Sequence, residues 1–257
     1  THPEVVLKIH QDNITAGANY ITTNTFRTTL RAFHQSGLSK SESDKRFKQA
    51  LNAAVKLAKK ATNGNVKVIG SIAPLEDCYS PKLFPGKEIA LPEFRQLVTW
   101  LNDANVDIIL FETMNNIPEI KSGLMAAEGI KIPVWVSLFL KDEAHLASGE
   151  PLQDCINVIH TFPVKCILLN CNSLKNTEKA IIYLSEKWNG KWGVYPNLGV
   201  GKPTVDGRIE QFSSDKDFLK TIQNAVDLGA SIIGGCCGTT SRHTKMLNQH
   251  FKTRNQN

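Results

Sequence analysis

The chain has 257 residues, 41% hydrophobic and 21% charged, and its 30 basic and 24 acidic residues give a formal net charge of +6. These values suit a soluble globular protein whose core needs no disulfide staples; the lysines are spread over helix surfaces, as at Lys56, Lys59 and Lys60, and lack the clustered arginines and aromatics of a nucleic-acid groove. Six cysteines are too few for a secreted disulfide scaffold and read as reduced thiols of a cytoplasmic protein, while no apolar run approaches a membrane span and no signal peptide opens the chain.

The chain opens on a helical pattern after Thr1-His2-Pro3-Glu4. A turn at Thr15-Ala16-Gly17-Ala18-Asn19 leads into a first strand near 20–25. Phe47, Leu51, Val55 and Ala58 form a helix stripe that stops near Asn63-Gly64, and a strand follows at 66–73. Phe94, Leu97, Val98 and Leu101 recur at helical spacing, with Pro92 placed as a first-turn residue. The run Val106-Asp107-Ile108-Ile109-Leu110-Phe111 reads as a buried parallel strand. A strand near 133–140 is next, then a stripe of Leu152, Cys155, Ile156 and Ile159 and a strand at 164–171. Ala180, Ile181 and Leu184 form another stripe before strands at 192–196 and 230–236. A helix from Ser241 to Phe251 closes the chain, with Thr239 and Thr240 read as its caps.

The joint Thr15–Ile21 resembles Leu228-Gly229-Ala230-Ser231-Ile232-Ile233 and, more loosely, the segment from Asn102 to Ile108. Each ends a helix on a small or turn-forming residue and starts an apolar strand at once. This alternation means a parallel sheet with crossover helices. Seven strands are one short of a barrel, and the chain starts on a helix. The expected architecture is a (β/α)8 TIM barrel in one domain, 1–257, lacking its first strand. An open doubly wound sheet is the alternative, although no Gly-x-Gly-x-x-Gly fingerprint marks one.

In a barrel, the carboxyl ends of the strands converge on one mouth. Here they carry Thr22-Thr23-Asn24-Thr25-Phe26, Phe111-Glu112-Thr113, Ser137-Leu138-Phe139, Asn170-Cys171-Asn172, Tyr195-Pro196-Asn197 and Cys236-Cys237. Adjacent cysteines bond each other poorly, and Gly235 and Gly238 free both thiols to face one ion. With Cys171 they make a soft three-thiolate cage that suits zinc with one position open. Cys155 and Cys166 read as core residues and Cys78 as a loop bystander. His145, His243 and His250 have no companion at metal-ligand spacing. Glu112 closes an apolar strand, so it is either paired structurally or holds a cationic group of a ligand.

The segments Ala16–Phe26, Phe111-Glu112-Thr113, Asn170-Cys171, Tyr195-Pro196-Asn197 and Gly234-Gly235-Cys236-Cys237-Gly238-Thr239 together resemble the homocysteine S-methyltransferases, over essentially the whole chain. The resemblance implies a (β/α)8 barrel with one Zn2+ held by Cys171, Cys236 and Cys237. It implies that homocysteine sulfur takes the open position and that Glu112 holds the amino group. Thr23, Asn24 and Ser137 are further candidates for the amino-acid end. The family's opening strand with an Asp-Gly-Gly type segment has no counterpart in this sequence, which matches the strand missing from the count. The implied reaction moves a methyl group from a sulfonium donor, S-methylmethionine or S-adenosylmethionine, to L-homocysteine and yields methionine. The implied partners are these small molecules, with neither nucleic acid nor membrane. A barrel whose zinc-thiolate site is structural or redox-sensing, without methyltransferase activity, is the second reading.

Overall fold

A computed structural model describes residues 2–62, 64–200, 209 and 211–254. Helices and strands alternate: α1 (Pro3–Thr15), β1 (Tyr20–Thr22), α2 (Leu30–His34), α3 (Lys40–Ala61), β2 (Lys67–Ile72), α4 (Lys87–Asp103), β3 (Ile108–Met114), α5 (Ile117–Ala126) and β4 (Val134–Leu138). Then follow α6 (Leu152–His160), β5 (Cys166–Ser173), α7 (Leu174–Lys187), β6 (Lys191–Asn197), β7 (Gly199–Val200), β8 (Gln211–Phe212), α8 (Asp215–Asp227), β9 (Ile232–Ile233) and α9 (Ser241–Arg254).

Seven strands form one parallel sheet in the order β1-β2-β3-β4-β5-β6-β9, as an alternation of helices and strands requires. The sheet curls on itself. Tyr20 of β1 reaches Trp135 of β4, three strands away, with ring centroids 5.2 Å apart. Its two ends are bridged by helices: the Thr244 hydroxyl of α9 donates to Asn13 Oδ1 of α1 at 2.9 Å, and Asn248 Nδ2 donates to the Ala16 carbonyl at 3.2 Å. The result is a barrel of seven strands, open between β1 and β9; among the described residues neither of these has a second strand neighbour. This is the architecture expected from the strand count.

Strand periodicity divides the core into two layers. Ile109 and Phe111 of β3, Val136 and Leu138 of β4, and Ile167 and Leu169 of β5 face outward and pack under the helices with Phe94, Leu101, Ile156 and Ile159. The alternate residues Ile69, Ile108, Leu110, Trp135, Cys166 and Leu168 fill the interior. Cys155 and Cys166 are both fully buried, as core packing predicts. Farther along the same interior rows the residues turn polar: Ser71, Glu112, Ser137, Asn170 and Tyr195. The apolar residues plug the amino-terminal end of the barrel, and polar groups line the other end.

Some expectations change. Pro92 lies inside α4 rather than in its first turn, because the helix starts at Lys87, behind Gly86 in the left-handed region (φ 91°). Helix α3 ends at Ala61, and Asn63 lies outside the described residues. Thr239 does not cap α9; its hydroxyl donates to the Cys236 carbonyl at 2.7 Å. Thr240 does stand at the helix start, where His243 Nδ1 accepts its backbone N–H at 3.0 Å. Helices α2 and α5 and the β7–β8 ribbon add to the predicted elements, and α8 ends at Asp227, where the Leu228-Gly229 joint predicted a helix end. No helix among the described residues is long and apolar enough to cross a membrane.

Candidate functional site

The thiols of Cys171, Cys236 and Cys237 meet at the carboxyl end of the barrel, with all three sulfurs within 4.8 Å of one another. Backbone geometry brings each there. Cys171 adopts the left-handed region (φ 57°) where the β5–β6 register shifts, between Asn170 and Ser173. Such a conformation costs an ordinary residue about 1–2 kcal/mol, and bulges re-aim side chains at strand ends. Cys236 and Cys237 follow β9 and stay hydrogen-bonded to the end of β6: Cys236 N–H donates to the Pro196 carbonyl at 2.9 Å, and Leu198 N–H to the Cys237 carbonyl at 3.0 Å. Gly238 (φ 79°) turns the chain away at once; a Cβ there would lie 2.8 Å from the Phe212 ring.

Cys171 Sγ lies 3.6 Å from Cys237 Sγ, and Cys236 Sγ 3.9 Å from Cys237 Sγ. Both separations are far beyond a disulfide bond. They match the edge of a tetrahedron of thiolates around zinc, about 3.8 Å for metal–sulfur bonds of about 2.3 Å. The residues present therefore fit a tetrahedral thiophilic ion with one corner left for another ligand. Among the described residues no other group of three Cys, His, Asp or Glu side chains is spaced to hold a metal.

The electrostatics of the trio point the same way. Hydrogen bonds from Cys171 and Cys236 hold the Cys237 thiol well below the ordinary thiol range. Hydrogen bonds with Cys171 and Cys237, then burial, push Cys236 well above it. The three thiols thus titrate as a unit, and only a cation allows all three to ionise together.

Glu112 stands in the interior beside the trio. Ser71 donates its hydroxyl to the carboxylate. Burial raises the Glu112 carboxyl above its usual range, against the Ser71 hydrogen bond and the polar Tyr195 hydroxyl beside it, and the neighbouring Cys171 raises it further. Among the described residues no cation pairs with this carboxylate, a state that an incoming ammonium would relieve. The Tyr195 hydroxyl donates to Ser137 Oγ at 2.7 Å; Ser137 donates to Asn170 Oδ1 at 2.8 Å and accepts the Thr113 N–H at 3.1 Å. The Ser137 hydroxyl is therefore fully engaged by protein partners. Burial, then Glu112, raises the Tyr195 phenol, which stays protonated as a donor.

Thr23 is buried at the end of β1. Its hydroxyl meets that of Thr25 at 2.7 Å and accepts the Ser71 N–H at 3.3 Å, which ties β1 to the strand that carries Glu112's partner. Asn24 is exposed in the turn after β1. Cys78 is buried near the mouth, where its carbonyl accepts Asn115 Nδ2 at 2.8 Å. His243 is buried against Phe218 and Asp215, away from the thiols, in a packing role.

Sequence reasoning missed Ser71 and Tyr79. Ser71 sits on an interior row two residues beyond Ile69, a signal present in the strand's alternation. Tyr79, whose hydroxyl lies 3.5 Å from Cys171 Sγ, follows β2 by a loop and carries no local mark of its role.

The sequence profile described as homocysteine S-methyltransferase matches residues 1–251. Homocysteine S-methyltransferase of Escherichia coli (strain K12) is 31% identical over 265 residues, covering 93% of this chain and 82% of that protein. Homocysteine S-methyltransferase 2 of Arabidopsis thaliana is 25% identical over 289 residues, covering 99% and 85%. The crystal structure of the homocysteine methyltransferase MmuM from Escherichia coli, in its metallated form, superposes with a TM-score of 0.81 at 28% identity, over 96% of this chain and 85% of that one. A dihydrodipicolinate synthase from Aquifex aeolicus, at 9% identity and a TM-score of 0.56, shares the fold alone.

Proposed function

Because the chain belongs to the homocysteine S-methyltransferase family, we propose that it transfers a methyl group from a sulfonium donor, S-methylmethionine or S-adenosylmethionine, to the thiol of L-homocysteine, with Cys171, Cys236 and Cys237 holding one zinc ion. The observation that carries the metal assignment is the trio itself, whose 3.6 and 3.9 Å sulfur separations suit a tetrahedral thiolate site. Zinc held by three thiolates supplies a position where a substrate thiol loses its proton near neutral pH.

The chain's own residues then bind and orient. Glu112 receives the homocysteine ammonium, which offsets the cost of its buried charge. Ser71 fixes the carboxylate, and Tyr195, whose hydroxyl donates to Ser137, stands beside it. Thr23, Asn24 and Ser137 border the amino-acid end of the pocket. The apolar plug of Ile69, Leu110, Trp135 and Leu168 keeps water out of the barrel floor. The acceptor amino acid thus lies inside the barrel with its sulfur directed at the mouth. In the transfer, the sulfur lone pair forms the new S–CH3 bond, the donor's S–CH3 electron pair returns to its sulfur, and the thiol proton goes to solvent. Residues 1–257 act as one domain in this reading.

A structural zinc site has a closed shell of four protein ligands. The trio offers three, which favours the open site. The test is a donor panel: zinc-loaded protein with homocysteine and S-methylmethionine, S-adenosylmethionine or betaine, with methionine quantified. Methionine from a sulfonium supports the reading. Methionine from none, with zinc bound, overturns it.

A further inference from the structure

We propose that Tyr79, backed by Phe139, forms the wall that receives the cationic sulfur of the methyl donor. The inference rests on the methyl-transfer reading and adds the donor side, for which neither the thiols nor Glu112 provide.

Tyr79 is a large aromatic side chain left 55% exposed at the barrel mouth. Its hydroxyl stands 3.5 Å from Cys171 Sγ, so the ring borders the thiol trio. Phe139 meets it edge to face, with centroids 5.2 Å apart and planes at 85°. This arrangement leaves aromatic surface free beside the site.

The exposure is built in. The loop from Ala73 to Ser80 is tied from below by buried polar groups. Glu119, 2% exposed, accepts the Leu75 N–H at 2.8 Å and Asn116 Nδ2 at 3.0 Å. Asn115, 1% exposed, donates to the Cys78 carbonyl at 2.8 Å, directly before Tyr79. Ser80 closes the loop on Asp77 Oδ2 at 2.7 Å. Phe139 is likewise held, its N–H donating to the Met114 carbonyl at 2.9 Å and its carbonyl accepting the Ala147 N–H at 3.1 Å. These ties fix the loop backbone on either side of Tyr79, whose side chain is presented to solvent at the mouth.

Chemistry and placement select the ligand. With Glu112 inside the barrel, the acceptor approaches the thiols from within, so the donor must come from the mouth, where Tyr79 stands. A sulfonium is a weakly hydrated cation whose positive charge is spread over its methyl groups, and such cations settle on aromatic faces. The nearby negative charge is that of the thiolates, since Asp77 is paired with Arg27 at 3.1 Å; it suits a cation and gives a neutral donor no advantage.

The test compares zinc-loaded wild-type protein with Tyr79→Ala, Tyr79→Phe and Phe139→Ala. Calorimetric titration with S-methylmethionine, and separately with S-adenosylmethionine, is run without homocysteine, alongside KM values for each donor and for homocysteine. Tyr79→Ala should raise the donor Kd and KM about 5- to 30-fold, the range of a desolvated cation–aromatic contact. Tyr79→Phe, which keeps the ring, should hold both within about twofold, and Phe139→Ala should fall between. Zinc content and the homocysteine KM should stay with the wild type in all three. An unchanged donor Kd in Tyr79→Ala, an equal rise in homocysteine KM, or a Tyr79→Phe as impaired as Tyr79→Ala would each overturn the proposal. If wild-type protein makes no methionine, the methyl-transfer reading fails by itself, and the calorimetric comparison still decides whether the ring binds a sulfonium.

Discussion

Asn170 donates its side-chain amide to the Thr113 hydroxyl at 2.7 Å, joining two copies of one backbone device. Thr113 and Cys171 both lie in the left-handed region (φ 61° and 57°), and each sits where a strand register shifts. Each directly follows an interior polar residue, Glu112 in one case and Asn170 in the other. In the proposed reading, the bulge after Glu112 serves a substrate contact and the one after Asn170 a metal ligand. Backbone strain of this kind persists only where surrounding contacts fix it, and the Asn170–Thr113 bond is such a contact.

Asn170→Ala therefore removes partners from the buried Thr113 and Ser137 hydroxyls at once. It should cost about 1–3 kcal/mol of stability in denaturant unfolding and weaken zinc retention against a chelator, since Cys171 is the next residue. A variant as stable as wild type with unchanged zinc retention would show that the bulges need no such tie.

Glu112→Gln should act in opposite directions on binding and stability. The lost charge-assisted contact should raise the homocysteine KM about 10- to 100-fold. The folded-state carboxyl is raised by burial, so the ligand-free fold holds that proton more tightly than the unfolded chain does. Its stability accordingly falls as pH rises from the ordinary carboxylate range through the raised value, and the loss is complete above it. The ligand-free Gln variant escapes that loss and should melt at a higher temperature than wild type at pH 7.5. A lower melting temperature with an unchanged homocysteine KM would refute the assignment.

Gly193→Ala tests the seating of the cysteine pair. A Cβ at Gly193 would lie 2.0 Å from the Ile232 carbonyl oxygen, a backbone atom of β9. The β6–β9 ladder comprises only Gly193 with Ile232 and Val194 with Ile233, so the strand before Cys236 has to shift. The expected cost is at least the usual overpacking range of about 1–3 kcal/mol, with a weaker zinc affinity. Equilibrium unfolding and zinc competition read both.

Cys236→Ser and Cys155→Ser separate site from core. The first should lose most zinc and all methyl transfer with an unchanged far-ultraviolet spectrum, since Cys236 is part of no apolar cluster. The second should keep zinc but lose about 1–3 kcal/mol, because it places a hydroxyl in the fully buried α6 interface. Zinc analysis and thermal melts distinguish them; wild-type turnover in Cys236→Ser contradicts the ligand assignment.

The strands around Ile109, Ile167 and Val194 and the stripes of α3, α4, α6 and α7 were legible because burial imposes periods of 2 and 3.6 on the residues. Helix α5 was equally marked, by the Asn116 cap, Pro118 and Glu119, and passed unread. The cysteine trio was legible as a composition at strand ends. The conformations that aim it were not: neither Thr113 nor Cys171 is a residue type that announces a left-handed backbone. Tyr79 was illegible for another reason, since its partner Cys171 is 92 residues away and only tertiary folding brings the two together.

The most direct test is proton release. Homocysteine added to zinc-loaded protein near pH 7, with no donor present, should release about one proton per chain as its thiol ionises at the three-cysteine site. Methionine should release none, and Cys236→Ser should abolish the signal. Zinc-loaded wild-type protein that binds homocysteine without releasing a proton would contradict the account.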